Sequence, residues 1–206
     1  MIVAIVACYN SAETIVPCLE SLNGKVDLIL CFDAKWHGFP YPSLYSDDKT
    51  EFLINCLNSS WLPIQYIKLP SPIDQVRMRS VMVGSVPEGN WILNIDADEI
   101  ITHWDGDIKA ILESTKENGF RVCQKYQKER CATTTLRLVK KTQGLHYTND
   151  HREVEDNNGV IDVHRFPVLT NIVIDHHELA ANKRMRPYME EYKKWLLKYE
   201  NEHRKT

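Results

Sequence analysis

Three carboxylates follow a short apolar run near the middle of the chain, and their spacing suits metal chemistry. Residues 91–95 read Trp-Ile-Leu-Asn-Ile and lead directly into Asp96, Ala97, Asp98 and Glu99. Such a break is typical of a buried strand that emerges at the carboxyl end of a parallel sheet, where open α/β sheets bind ligands. Because side chains at i and i+2 of an extended segment point the same way, Asp96 and Asp98 can reach one ion. Two hard oxygen donors suit Mg²⁺ or Mn²⁺ that also carries phosphate oxygens, which indicates a metal-assisted nucleotide-sugar site.

The Asp-x-Asp spacing has little specificity by itself, because it recurs elsewhere in this chain. Asp105 and Asp107 repeat it, and Glu153 and Glu155 stand at the same separation. Only the pair after residues 91–95 follows a buried-strand pattern, whereas Asp105 and Asp107 are interpreted as solvated residues at a helix start. The context therefore favours a functional role for the central pair.

The bulk composition is that of an ordinary globular domain. The chain has 206 residues, of which 43% are apolar and 26% charged, and its net charge is −3. This length suits one domain with a sizeable core, and the charge gives no argument for nucleic acid or a membrane as partner. Residues 181–206 carry eight Lys or Arg against four Glu, a local charge of +4. That stretch could contact an acidic partner, although a solvated helix face explains it more simply.

Cysteine usage and hydropathy predict a cytoplasmic protein. The six cysteines are scattered without a Cys-x-x-Cys pair, and several lie in apolar runs. They predict buried thiols of a reducing compartment, not a zinc cluster or a disulfide framework. Residues 2–7 are apolar but lack a basic leader and are too short for a signal sequence, and no later run reaches membrane length.

Apolar periodicity predicts strands that alternate with helices, the pattern of a mostly parallel α/β sheet. Strands are expected at 2–7, 26–32, 64–69, 91–95, 120–123, 134–139 and 166–174. Helices are expected after an N-cap at Thr14, after an Asp48-x-x-Glu51 capping box, at 73–86, and after an N-cap at Asp107. A C-terminal amphipathic helix follows residue 178.

Polar side chains follow the first two predicted strands, which one helix joins into a parallel pair. Tyr9, Asn10 and Glu13 come after the strand that ends at Ala7, and Asp33 ends the second strand. Because the carboxyl ends of parallel strands share one edge of a sheet, these side chains should lie close to the central acids. Asp33 would either recognise a base or ribose or cap a turn, and its position favours recognition.

Arg79 and two tandem histidines complete the candidates. Arg79 lies on the inward face of the helix at 73–86, where a charge needs a partner. A diphosphate and a structural salt bridge are equally consistent with that position. His176 and His177 end the last strand, and adjacent strand residues point to opposite faces, so at most one should bind the metal, with His177 favoured. An imidazole beside two carboxylates favours Mn²⁺ over Mg²⁺.

Taken together, these residues resemble family 2 glycosyltransferases of the GT-A fold. The similarity lies in the Tyr9-Asn10 loop, the strand that ends at Asp33, the helix with Arg79, and the segments 89–99, 137–139, 144–147, 151–153 and 176–177. It covers residues 2 to about 178. It implies one GT-A, Rossmann-like domain at 1–178, with a mostly parallel sheet flanked by helices. Residues 179–206 would form a basic amphipathic helix that packs on this domain or extends from it.

The resemblance also implies roles for individual residues. Asp33 would contact the nucleotide base, Arg79 would approach the diphosphate, and Asp96 would lie against ribose and metal. A carboxylate in the 151–156 loop would be the catalytic base. The expected nucleotide-sugar residues are Ala7, Tyr9, Asn10, Glu13, Asp33, Arg79, Asp96 and Ala97, and the expected metal ligands are Asp96, Asp98 and His177, with His176 as the alternative.

Two departures from the family pattern keep alternatives open. The family often shows Arg-Asn where this chain has Arg79-Ser80, so Arg77 is an alternative to Arg79. The expected His-Glu pair is interrupted by an extra Arg at position 152, so Glu153 and Glu155 both stay candidate bases.

The expected function is a metal-dependent inverting glycosyltransferase that moves a sugar from a nucleoside-diphosphate sugar, a UDP-sugar by preference, to an acceptor hydroxyl. A divalent cation would stabilise charge on the departing diphosphate, and a carboxylate would act as general base. The acceptor could be a glycan, a lipid-linked sugar, a protein or a modified nucleic acid. The C-terminal helix could support self-association or docking on a surface.

Two other functions stay open. A sugar nucleotidyltransferase shares the strand-helix alternation and acidic metal ligands, but it would need a Gly-rich, basic loop after the first strand. Residues 8–13 contain neither Gly nor Lys. A catalytically silent carbohydrate- or protein-binding module could use the same scaffold, although the intact Asp96 and Asp98 argue against it.

Overall fold

Eight strands form one mixed sheet in the computed structural model, which describes residues 1–37, 41–60, 63–126, 133–148, 153–176 and 194. The strands of this part of the chain are β1 (Ile2–Cys8), β2 (Leu28–Asp33), β3 (Ile64–Lys68), β4 (Trp91–Asp96), β5 (Glu99–Trp104), β6 (Gly119–Tyr126), β7 (Thr133–Lys140), β8 (His146–Tyr147), β9 (Val154–Asp156), β10 (Gly159–Ile161) and β11 (Val168–His176). The order across the main sheet is β3-β2-β1-β4-β7-β6-β11-β5. A second, small antiparallel sheet has the order β10-β9-β8.

The main sheet is mostly parallel, as the sequence predicts. Strand β1 pairs in parallel with β2 and β4, and β2 pairs in parallel with β3. Strand β7 runs antiparallel to both β4 and β6, and β11 then runs parallel to β6. Only β7 and β5 oppose the common direction. The carboxyl ends of β1, β2, β4, β6 and β11 therefore meet at one edge.

Helices cover both faces of this sheet. They are α1 (Ile15–Ser21), α2 (Thr50–Ser60), α3 (Gln75–Gly84) and α4 (Ile108–Ser114), with a 3₁₀ turn at Val163–Arg165. Alternate residues of β1, which is buried except for the half-buried Ala7, enter two separate cores, because successive side chains of a strand point to opposite faces. Val6 packs in a core with residues of α1 and α4, and Ile5 packs in another with residues of α3. Helix α3 therefore packs on one face of the sheet, close to the carboxyl end of β4.

Local signals predict some helix starts and not others. Asp107 caps α4 as predicted, accepting from Ala110 N at 3.0 Å. Thr14 stands at the start of α1, but its side chain makes no capping hydrogen bond. The capping-box prediction is wrong in detail, because Asp48 accepts from Thr50 N and Glu51 pairs with Lys68 at 2.8 Å. Lys68 of β3 thus binds the Glu51 carboxylate that a capping box would direct to the backbone nitrogen of Asp48.

Two regions contain strands that periodicity did not predict. Strand β5 begins at Glu99 and pairs antiparallel with β11 at the edge of the main sheet. The segment 144–156, predicted as a polar loop, contains β8 and part of the small sheet. The β5–β11 pairing joins segments distant in sequence, so no local period signals it, and β8 has only two residues, too few to show a strand period.

The cysteine prediction is only partly correct. Cys8, Cys18 and Cys31 are buried thiols whose pKa values burial raises. Cys56 is exposed, and Cys123 is disulfide-bonded, so the expectation of buried thiols throughout is wrong. Disulfide formation depends on the spatial approach of two cysteines, which scattered spacing does not reveal.

The last segment of the chain is mostly outside the described residues. His177 and the predicted C-terminal helix at 179–206 fall there, apart from the single position 194. Within the described residues, the structure contains no helix that is both long and apolar enough to cross a membrane.

Candidate functional site

The central acids lie where β4 leaves the sheet. Asp96 is the last residue of β4 and pairs with Ala7 of β1, while Cys8 pairs with Asp33 of β2. The chain turns at Ala97 and Asp98 before β5 begins, so it is not extended through the Asp-x-Asp pair. Asp96 and Asp98 consequently meet different groups, although both lie at the carboxyl edge of the sheet.

Asp96 lies between two arginines. Its Oδ1 accepts from Arg79 Nη2 at 2.9 Å, and its Oδ2 is 3.9 Å from Arg137 Nη1. Burial favours the neutral acid, but the two guanidinium groups outweigh it and lower the pKa of Asp96 to about 2. Asp96 is therefore held as a carboxylate at the mouth of the site.

Glu99 is fully buried beneath this pair. Its Oε1 accepts from Arg137 Nη2 at 2.5 Å and from Gln124 Nε2 at 2.7 Å, while its Oε2 accepts from Asp96 N at 2.8 Å. Burial raises the pKa of Glu99, and Arg137 opposes that rise. Both oxygens are thus committed to protein groups, and the carboxylate braces the turn between β4 and β5.

Asp98 faces the end of β11. Its Oδ1 lies 3.8 Å from His176 Nδ1, and the same nitrogen is 3.7 Å from Glu99 Oε1. Two atoms that share an Mg²⁺ or Mn²⁺ ion, each at about 2.1 Å, can be at most about 4.2 Å apart. The 3.8 Å between the carboxylate oxygen and the imidazole nitrogen lies below this upper limit. Among the described residues, no group of three or more His, Cys, Asp or Glu side chains is arranged so that it could hold a metal ion.

Arg79 is the buried arginine of α3, and Arg77 is exposed. Besides Asp96, the Arg79 guanidinium donates from Nη1 to Asn94 Oδ1 at 2.9 Å. Asn94 in turn donates from Nδ2 to the Tyr147 hydroxyl at 2.8 Å. Of the two roles predicted for Arg79, the structural salt bridge is present, with Asp96 as its partner. The Arg79 side chain also lines the cavity described below.

A cavity of about 1060 Å³ opens beside these charges. Of the residues predicted from sequence, it brings together Arg79, Asp96, Glu153 and His176. The exposed Glu153 directly precedes β9, and its Oε2 accepts from Thr148 Oγ1 at 3.4 Å. Glu155 is half-buried on β9 and is not among the residues that line the cavity.

The predicted base-binding residues form a second cluster beside the segment 43–50. Asp33 Oδ1 and Oδ2 accept from the hydroxyl and backbone nitrogen of Ser46, at 3.0 and 2.9 Å. Asp33 also accepts from the Tyr66 hydroxyl at 2.5 Å, and burial still raises its pKa. Asn10 donates from its backbone to Ser46 Oγ at 2.9 Å, and the Tyr9 hydroxyl donates to a carbonyl of the same segment. None of these five residues lines the cavity.

The two remaining predicted residues differ in exposure. Ala97 is buried in the turn after β4, and Glu13 is exposed in the turn before α1. Ala97 thus keeps the position between the two aspartates small.

Sequence reasoning missed three residues that organise the site. Arg137 and Tyr147 lie in the segments 137–139 and 144–147 that resemble the family, but neither was expected to have a role of its own. Gln124 had no signal in the sequence. The partners of Gln124 and Tyr147, which are Glu99 and Asn94, lie 25 and 53 residues away along the chain.

Comparisons with known proteins show only distant structural similarity. No protein-family model and no curated protein matches this chain. A structure of S. aureus TarS 1-349 has 17% identity and a TM-score of 0.49, over 64% of this chain and 38% of that one. The mannosyltransferase PcManGT from Pyrobaculum calidifontis, in complex with GDP-Man and Mn²⁺, has 13% identity and a TM-score of 0.45, over 61% and 35%.

A putative glucose-1-phosphate thymidylyltransferase from Bacillus anthracis, in complex with a sucrose, has 11% identity and a TM-score of 0.39, over 88% of this chain and 74% of that one. This chain spans well under half the length of the TarS and PcManGT structures. With all three TM-scores below 0.5, the function of this chain has to be argued from its own site.

Proposed function

We propose that this protein is a glycosyltransferase that uses a nucleoside-diphosphate sugar, with a UDP-sugar as the first choice. One observation carries the proposal. A single cavity of about 1060 Å³ is lined both by Asp96, at the carboxyl end of β4, and by the exposed carboxylate of Glu153. A group bound at the sheet edge and a hydroxyl beside Glu153 would thus share one cavity, as a transfer between two substrates requires.

The donor would bind at the carboxyl edge of β1, β2 and β4. Asp96 is available as a carboxylate for the ribose, because Arg79 and Arg137 keep it ionised. Arg79 also brings a positive charge toward the diphosphate. Asp33, Tyr9 and Asn10 are proposed for the base, with Ala7, Glu13 and Ala97 beside them, and base binding would share or replace the Ser46 hydrogen bonds to Asp33.

Asp98 and His176 are the proposed metal ligands. Their facing atoms are 3.8 Å apart, and both side chains belong to the carboxyl edge of the sheet. Asp96 is less suited to this role, since Arg79 already occupies its Oδ1. When bound, Mn²⁺ or Mg²⁺ would act as a Lewis acid for charge on the diphosphate leaving group. Protein groups would leave several positions of such an ion for phosphate oxygens and water.

Glu153 is the proposed general base. It is exposed to the cavity, whereas Glu155 is not, and this difference supports Glu153 between the two candidates. Glu153 would accept the proton of the acceptor hydroxyl while that oxygen attacks the sugar. Attack from the side opposite the leaving diphosphate would invert the anomeric centre. A base in this position typically contributes about 10²–10⁴-fold to the rate.

Thermal unfolding with and without ligands tests the donor site. Nucleoside diphosphates with Mn²⁺ should raise the Tm of the wild type, because a ligand that binds only the folded state stabilises it. Asp98→Asn should abolish the metal-dependent part of this gain. Asp105→Asn is the matched control, since it changes the second Asp-x-Asp pair, in which the exposed carboxylate of Asp105 accepts a local bond from Gly106 N.

Turnover of a nucleotide-sugar panel tests the reaction itself. We expect hydrolysis or transfer of one donor class, with release of the nucleoside diphosphate. Absence of any metal-dependent nucleotide effect on Tm, together with no donor turnover, would reject the proposal. Pyrophosphate release from a nucleoside triphosphate and a sugar phosphate would instead indicate a nucleotidyltransferase.

A further inference from the structure

We propose that Ser80 of α3 is a positioning residue that holds the hairpin formed by β8 and β9, and through it Glu153, in register with the donor site. This inference rests on the proposed function and deepens it. It concerns the residue at which the chain departs from the Arg-Asn pattern expected next to Arg79.

The hydroxyl of Ser80 contacts both backbone polar groups of Tyr147, a residue of β8. Its Oγ accepts from Tyr147 N at 3.0 Å and lies 3.2 Å from Tyr147 O. The preceding residue, Arg79, donates to Asp96 on the other wall of the cavity. Two consecutive residues of one helix therefore hold the donor edge and the β8–β9 hairpin, which sets the distance between them.

A second contact holds the same tyrosine at the end of its ring. Asn94 Nδ2 donates to the Tyr147 hydroxyl at 2.8 Å, while Asn94 Oδ1 accepts from Arg79. Tyr147 is buried in the core that also contains residues of α3. With its backbone and its hydroxyl both fixed, Tyr147 cannot slide relative to α3 or β4 without breaking one of these bonds.

The pairing of β8 with β9 links the position of Tyr147 to that of Glu153. Tyr147 pairs with the buried Val154 of β9, and the next residue, Thr148, donates from its backbone to Glu153 O at 3.2 Å. Thr148 Oγ1 also approaches Glu153 Oε2. Because a displacement of about 1 Å at a reacting group can cost about 10²-fold in rate, loosening this hairpin should affect the chemical step.

Ser80→Ala tests the role, with Ser85→Ala as a matched control. Both serines donate Oγ to the carbonyl four residues earlier, at 2.9 and 2.8 Å, but only Ser80 also bonds Tyr147. We expect Ser80→Ala to lower kcat about tenfold and to leave the donor KM within about twofold. Ser85→Ala should change neither, and Ser80→Thr, which retains the hydroxyl, should restore most of the lost kcat.

A double-mutant cycle distinguishes positioning from a general structural effect. In the Glu153→Gln background, Ser80→Ala should lower kcat little further, because the group that it positions is already disabled. Equal losses of kcat in both backgrounds would overturn the proposal. Tyr147→Phe, which removes only the hydroxyl contact, should show the same dependence on Glu153 and serves if Ser80→Ala does not fold.

The two proposals fail in different ways. If the wild type turns over no nucleotide sugar, the proposed function fails and the Ser80 role falls with it. If the wild type is active and Glu153→Gln is inactive, but Ser80→Ala and Tyr147→Phe behave as the wild type, only the Ser80 role is refuted.

Discussion

Arg79 Nη2 and Asp96 Oδ1 are 2.9 Å apart, and this contact ties the inner face of α3 to the carboxyl end of β4. The arginine is buried, and the aspartate is less than one-third exposed. An ion pair in this setting orients both groups, because a buried charge that lost its partner would be costly. The acid proposed for the donor ribose is therefore fixed before any ligand arrives.

Exchange of Glu153 or Glu155 for its amide should separate the two candidate bases. Glu153→Gln keeps the size of the side chain but cannot accept a proton, so we expect kcat to fall about 10²–10⁴-fold. Glu155→Gln, two residues along, should retain most of the activity, because Glu155 does not line the cavity. Steady-state kinetics with the donor found in the panel would measure both. A larger loss for Glu155→Gln would reverse the assignment.

Removal of the Arg137 charge should destabilise the fold through Glu99. Arg137→Met leaves a fully buried carboxylate without its guanidinium partner at 2.5 Å, and we expect a loss of about 3–5 kcal/mol in the free energy of unfolding. Adding Glu99→Gln should recover part of that loss, because the orphaned charge disappears. Urea unfolding of the two single variants and the double variant provides the measurement. Additive losses would show that the ion pair is not the cause.

Acid should weaken the contact of Asp27 with the start of β1. Asp27 accepts from Ile2 N at 2.7 Å and from Lys109 Nζ at 2.5 Å. Burial opposes ionisation, but these hydrogen bonds outweigh it and lower the pKa of Asp27. A folded pKa below the unfolded value of about 3.9 means that the stabilisation is complete above that pH and is lost as pH falls through the folded pKa.

Asp27→Asn should reveal this contribution. We expect it to lower the free energy of unfolding by about 1 kcal/mol at pH 7 and by less at pH 3. Urea unfolding at both pH values tests the difference. An equal loss at pH 3 and pH 7 would contradict ionisation as the source of the stabilisation.

Alanine at Gly144 should cost more than alanine at Gly24. Both glycines have a positive φ, 74° and 68°, so each substitution should cost about 1 kcal/mol in backbone strain. A Cβ at Gly144 would also lie 2.1 Å from Asn157 Oδ1, whereas nothing lies within 4 Å of a Cβ at Gly24. Thermal unfolding should therefore give the lower Tm for Gly144→Ala. Equal Tm values would mean that Asn157 moves away freely.

Much of the scaffold follows from local patterns in the sequence. The apolar runs at 2–7 and 91–95 predicted β1 and β4, because burial on both sheet faces selects unbroken apolar strands. The acids after residue 95 predicted the edge of the sheet at which the candidate site lies for the same reason, since only a strand end can expose them. Arg79 was recognised as an inward charge that needs a partner, because helical spacing alone reveals which face it occupies.

Only the tertiary structure decided which groups meet at that edge. Arg137 contacts Glu99 across 38 residues and Ser80 contacts Tyr147 across 67, distances over which no sequence period operates. The antiparallel β7 beside β4 and the unpredicted β5 bring Arg137 to Glu99, and the docking of β8 on α3 brings Tyr147 to Ser80. Periodicity specifies the face on which a residue lies, whereas its partner depends on which strands become neighbours, and that is settled when the whole sheet forms.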